Sequence, residues 1–120
     1  MAKITNGSYT ANVTYYWNGK AEVRAIGDFY VKDGAIRGNL YNIGGNCVTG
    51  EIKGAIKQEG DKQVLDLEDR ITGLCATRYV HLEERAEGAY SGKWSYSSDG
   101  MKKELTSRIP EPVELMLTKK

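Results

Sequence analysis

The sequence predicts an all-β domain, an antiparallel up-and-down meander of about eight strands closing into a small barrel. Three observations carry that expectation. Apolar and polar residues alternate with period two along most of the chain, as strands with one buried and one wet face require. Turn dipeptides that tolerate positive φ, Asn18-Gly19 and Asp33-Gly34 foremost, punctuate the chain at intervals of about 8–12 residues. Gly27, Gly38, Gly50, Gly54 and Gly92 fall on the expected inward face, where they allow the sharp coiling of a small closed sheet or leave room inside it.

Taken in order, residues 8–17 form the first strand, with Tyr9, Ala11, Val13, Tyr15 and Trp17 on one face. Asn18-Gly19 turns the chain, and residues 20–31 return with Ala21, Val23, Ala25, Gly27, Phe29 and Val31 inward. After Asp33-Gly34, residues 35–43 place Ile36, Gly38 and Leu40 inward, and Gly44-Gly45-Asn46 turns again. Residues 47–58 alternate most cleanly, with Gly50, Ile52, Gly54 and Ile56 opposite Glu51, Lys53 and Lys57. Turns this short join antiparallel neighbours, because a parallel crossover needs a dozen or more residues.

Residues 62–70 are ambiguous. Leu65 and Leu67 suit a strand, whereas Val64, Leu67, Ile71 and Leu74 have helical spacing, with Asp61 as a cap and Gly73 as a stop. The hairpin signal at Glu59-Gly60-Asp61 favours the strand. Residues 75–84 resume the alternation, and residues 89–105 read as a hairpin about Ser98-Asp99-Gly100 with an extended return over 101–109. The tail alternates Val113, Leu115 and Leu117 after Pro110 and Pro112, which suits an edge or closing strand.

At 120 residues the chain fits one domain spanning 1–120, large enough to bury a core without staples. A net charge of +1, from 17 basic and 16 acidic residues, provides no global field for nucleic acid or an anionic membrane. No apolar run resembles a signal peptide or a membrane span, so the expected location is the cytoplasm. Cys47 and Cys75 lack a CxxC or metal-ligand arrangement and read as free thiols, a disulfide between neighbouring strands being the alternative.

Gly92-Lys93-Trp94 resembles the G-x-W strand motif of calycin-type barrels, the lipocalin and avidin class. The resemblance implies a barrel in which an arginine from an adjacent strand covers the tryptophan, a part open to Arg78 or Arg108 here. In that family the motif lies on the first strand, whereas here it lies near the end of the chain. No ligand residue carries over from it.

Arg78 shares the apolar face of its strand with Val80 and Leu82, and a guanidinium is not buried without a partner. It reads either as an anchor for a ligand anion or as a structural lid, stacked on Trp94 or paired with Asp69 or a strand-end carboxylate. Tyr9, Tyr15, Trp17, Tyr90, Trp94 and Tyr96, all of inward phase, are the other expected ligand-lining residues. His81 is the single histidine and shares the outward phase with Cys75, too far along the strand for a dyad at about 6.6 Å per alternate residue. Asp66 and Glu68 form a wet face rather than a metal site.

The expected function is therefore a non-enzymatic binding protein, without cofactor or metal, holding a small and partly polar ligand, anionic if Arg78 grips it. The alternative is a protein-interaction module or homo-oligomer using the outward Tyr16, Tyr30 and Tyr41 as its interface. Neither nucleic acid nor membrane is an expected partner.

Overall fold

The computed structural model describes residues 4–42, 49–71, 77–95 and 110–120. Its strands are β1 (Gly7–Trp17), β2 (Lys20–Lys32), β3 (Ala35–Asn42), β4 (Thr49–Glu59), β5 (Lys62–Ile71), β6 (Arg78–Ala86), β7 (Ala89–Ser95) and β8 (Glu111–Lys119). Each pairs antiparallel with its neighbour in sequence, and β8 pairs with β1 from Tyr9↔Lys119 to Tyr15↔Val113, closing an eight-stranded barrel. The expected meander and barrel are what the chain forms.

The turn chemistry explains the registers. Asn18 and Gly19 adopt φ of 51° and 79°, and Asp33 and Gly34 adopt 49° and 82°, so both are turns of two left-handed residues. Such turns match the right-handed twist of the flanking strands and so lock the pairing on either side. A bulge between Tyr15 and Tyr16 shifts the β1–β2 register by one residue near the Asn18-Gly19 turn, so Ala21, expected inward, pairs with Tyr16 and is exposed.

Residues 62–71 are a strand, which resolves the ambiguity. β5 is hydrogen-bonded to β4 along its whole length and to β6 from Val64 to Asp69, so its backbone is satisfied on both edges. The helical spacing of Val64 and Leu67 loses to this tertiary pairing, and Val64, Leu65 and Leu67 are all buried in it.

β7 also has both edges filled, by β6 on one side and by β8 from Ala89↔Met116 to Trp94↔Glu111 on the other. The tail thus borders β7 as a closing strand, with Pro112 opposite Lys93 near the start of β8. The expected return over 101–109, the turns at 44–46 and 98–100, Arg108, and both Cys47 and Cys75 lie outside the described residues. Among the described residues no helix is long and apolar enough to cross a membrane.

The inward glycines serve coiling. A methyl group added at Gly27 would lie 1.9 Å from the Asn39 carbonyl oxygen, and one at Gly92 would lie 1.8 Å from that of His81. In each case the obstacle is the backbone of the adjacent strand, so these glycines let neighbouring strands close up as the sheet curls. We expect Gly92→Ala to lower stability by about 3 kcal/mol, roughly 10 °C in melting temperature. Gly60→Ala, at a turn where an added methyl group meets nothing within 4 Å, costs only the left-handed backbone penalty of about 1 kcal/mol. Paired thermal and urea denaturation of the two variants checks the contrast.

Candidate functional site

An up-and-down barrel has two ends, and the expected ligand residues divide between them. Tyr9 and Tyr90 begin β1 and β7 and lie at one end; Tyr15, Trp17 and Trp94 end those strands and, with Arg78 at the start of β6, lie at the other. Along β1 the separation from Tyr9 to Tyr15 is about 20 Å. Between the groups the interior is filled by Ala11, Val13, Phe29, Leu65, Leu82 and Leu115, none more than 5% exposed and all in one cluster. The structure therefore does not bring the expected set around a single cavity. Tyr96 lies outside the described residues.

The Tyr9 end is strapped by the chain itself. Tyr9 Oη donates to the Thr5 carbonyl and accepts from the Thr5 amide, both at 2.9 Å, while the Ile4 amide donates to Gln63 Oε1 at 2.9 Å. Glu84 Oε1 accepts from the Gln63 amide at 3.1 Å. Burial, with Glu84 and Tyr9 close by, pushes the Tyr90 hydroxyl up to about 12. A cavity of about 300 Å³ remains here, between Thr5, Tyr9, Tyr90, Leu117 and Lys119.

The tryptophan end is organised by a carboxylate. Asp69 follows Leu65 and Leu67 in the inward phase of β5, is 1% exposed, and occupies the space that Gly50 leaves: a methyl group there would lie 1.9 Å from Asp69 Oδ1. Asp69 Oδ2 accepts from Tyr15 Oη at 2.7 Å and from Arg78 Nη1 at 3.3 Å. The Arg78 guanidinium lies over the Tyr15 ring, 4.3 Å from its centroid, and 5.6 Å from that of Trp94. Tyr15 meets Trp94 edge to face with centroids 5.3 Å apart, and Trp17 packs on Trp94 at 5.9 Å. Trp94 Nε1 donates to the Tyr16 carbonyl at 3.1 Å, tying β7 to β1.

Arg78 is thus paired with Asp69 and set beside Trp94, the structural arrangement among the two open to it. Two atoms of the cluster, Asp69 Oδ1 and Arg78 Nε, are buried with no hydrogen-bond partner among the described residues. One accepts and the other donates. Burial raises the Asp69 pKa, against the opposing pull of the Tyr15 hydroxyl and Arg78, and burial together with the Asp69 charge raises that of Tyr15 well above the ordinary range.

Asp69 is the residue that inward-phase reading leaves out of the ligand set, although its position two residues after Leu67 signals it. The end of the barrel at which the others lie follows from strand direction rather than phase: the ends of odd strands meet the starts of even ones.

Outside the wall, a cavity of about 620 Å³ lies over β4, β5 and β6 between Lys53, Ala55, Asp66, Glu68, Tyr79 and His81. His81 faces outward as expected, but it is not simply solvated: Nδ1 lies 2.6 Å from Asp66 Oδ1, its direct cross-strand neighbour. Lys57 reaches the other oxygen of Asp66 at 3.5 Å. Of the outward tyrosines, Tyr30 and Tyr41 are 54% and 51% exposed, and Tyr16 is half-buried with its hydroxyl hydrogen-bonded to Glu114. No protein-family model, curated protein or solved structure matches the chain.

Two measurements probe the buried cluster. Arg78→Met strands the Asp69 charge and should cost about 3–5 kcal/mol, most of it recovered when Asp69→Leu is added, so urea unfolding of the four proteins in the cycle should show strong coupling. Folded Tyr15 keeps its proton to higher pH than the unfolded chain does, so its contribution is intact below about pH 10 and is lost as pH rises beyond it. Melting temperature should fall over that alkaline range, and Tyr15→Phe should make the fall shallower.

Proposed function

We propose that the protein is a non-enzymatic binding protein that takes a small, neutral, polar ligand at the tryptophan end of the barrel. The observation that supports this most is the pair of buried, unmatched atoms, Asp69 Oδ1 and Arg78 Nε. Each such atom costs about 1–3 kcal/mol when left without a partner, so a group that serves both would recover that energy on binding. A hydroxyl or a carboxamide carries the required donor and acceptor together. Asp69 already balances the charge of Arg78, which favours a neutral group over an anion. Trp17, half-buried against Trp94, offers flat apolar surface for the body of such a ligand.

The exposure of Tyr30 and Tyr41 favours a second reading, an interaction module acting through the outer wall.

The chain has two tryptophans, and both belong to this end, so intrinsic fluorescence reports on it directly. A thermal-shift screen of neutral alcohols and amides alongside carboxylates and phosphates, followed by fluorescence titration of the hits, tests the first reading. Neutral hits should saturate the tryptophan signal, and Asp69→Asn should weaken them at least about tenfold, the equivalent of one lost hydrogen bond to a charged group. Hits that are all anionic and indifferent to Asp69→Asn would sink it.

A further inference from the structure

The antiparallel registers place four outward positions in one row across the wall. Met116 on β8 pairs with Asn12 on β1, Asn12 with Ile26 on β2, and Ile26 with Tyr41 on β3. Met116, Ile26 and Tyr41 are 50%, 46% and 51% exposed, and with Tyr30 they are the large apolar side chains that the described surface leaves most open. Adjacent strands lie about 4.8 Å apart, so the row is roughly 15 Å of apolar surface broken by one asparagine. Thr10 and Thr118 border it on the strapped side and Thr14 on the tryptophan side, adding methyl groups rather than charges.

The charges around the row are arranged by side. Two residues from Ile26 along β2, towards the strapped end, stands Asp28, which is ion-paired with Lys120 at the end of the chain. Two residues in the other direction stands Arg24, and Glu114 lies on that same side on β8. All four charged side chains are exposed.

We propose that this row is the centre of a twofold interface between two copies of the chain. Two walls meeting face to face are related by an axis lying in their interface, and the charges select its direction. An axis along the row lays β2 antiparallel over β2 of the second copy. Ile26 then meets Ile26, and Arg24 of each copy lies over Asp28 of the other. The same operation sets Glu114 over Thr118 and beside Lys120 of the second copy. An axis along the strands through β2 would instead stack Arg24 on Arg24 and Asp28 on Asp28, which like-charge repulsion opposes, and one through the middle of the row would set Arg24 over Thr14 and Asp28 over Thr10, leaving the charges unmatched. Only the first arrangement buries the apolar row while matching both charge pairs, and the resulting contact is isologous and closed, so assembly stops at two.

The wall is convex, so the contact falls at the low end of interface sizes and the dimer dissociates in the micromolar range. The interface uses only the outer wall and does not depend on what the tryptophan end binds.

Sedimentation velocity from about 1 to 300 µM, a span that brackets such a dimer, gives the dissociation constant directly. Ile26→Thr, which keeps a β-branched residue in the strand, should weaken the dimer about tenfold, and Ile26→Asp should abolish it, with melting curves confirming that both fold. Arg24→Asp and Asp28→Arg should each weaken it at least about tenfold, because each sets like charges face to face, and the double variant should recover to within a few-fold of the original. A protein that is monomeric throughout that range overturns the proposal. So does a dimer that Ile26→Asp leaves intact, or one in which the double charge swap is weaker than either single variant.

Discussion

Closing eight strands into a ring leaves an interior barely wide enough for side chains, and most of this molecule follows from that limit. The strands must coil sharply, which puts glycine where one backbone presses on the next, as at Gly27 against Asn39 and Gly92 against His81. The interior must be filled from all sides by moderate apolar residues, which Val13, Phe29, Leu65, Leu82 and Leu115 provide. Polar chemistry is then displaced to the two ends, where a side chain can face inward and still find a partner. Tyr9, Gln63 and Glu84 do so at one end, and Tyr15, Asp69 and Arg78 at the other.

The two ends resolve their polar groups differently. At the strapped end the chain's own residues 4 and 5 supply backbone partners for Gln63 and Tyr9, so that cluster has ready-made donors and acceptors. At the tryptophan end a full charge pair is buried, and the desolvation of Asp69 is offset by one phenol, one guanidinium and the aromatic faces around it. A buried pair of this kind adds little net stability over an apolar one of the same shape. What it adds is a stringent geometry, because each partner is costly to leave alone.

The fold was legible because its signals are local. Period-two alternation assigns every inward residue of β1 without knowledge of any other strand, and Asn18-Gly19 by itself predicts its hairpin. The strand at 62–71 was less so, since Val64, Leu67, Ile71 and Leu74 carry a helical spacing that only pairing with β4 and β6 overrides. The site was half legible. Phase told which faces Tyr9, Tyr15, Trp17, Arg78, Tyr90 and Trp94 take, but not their height in the barrel, which depends on strand direction and register. Asp69 became visible as the organiser only once β5 was known to be a strand. On the outer wall, attention to aromatics found Tyr41 but passed over Ile26 and Met116, whose phase was equally readable and whose adjacency to Tyr41 or Asn12 arises from cross-strand pairing.

The connections are distributed unevenly between the ends. Asp33-Gly34, Gly60-Asp61 and Glu87-Gly88 turn the chain at the strapped end, whereas the links across residues 43–48, 72–77 and 96–110 all leave from and return to the tryptophan end. Three of the four described hairpins thus take their register from the strapped side, and Asn18-Gly19 sets the fourth from the tryptophan end. Such a division suits diversification: a set of chains could share this wall and these turns while changing the side chains around Trp94, and each would keep the same core.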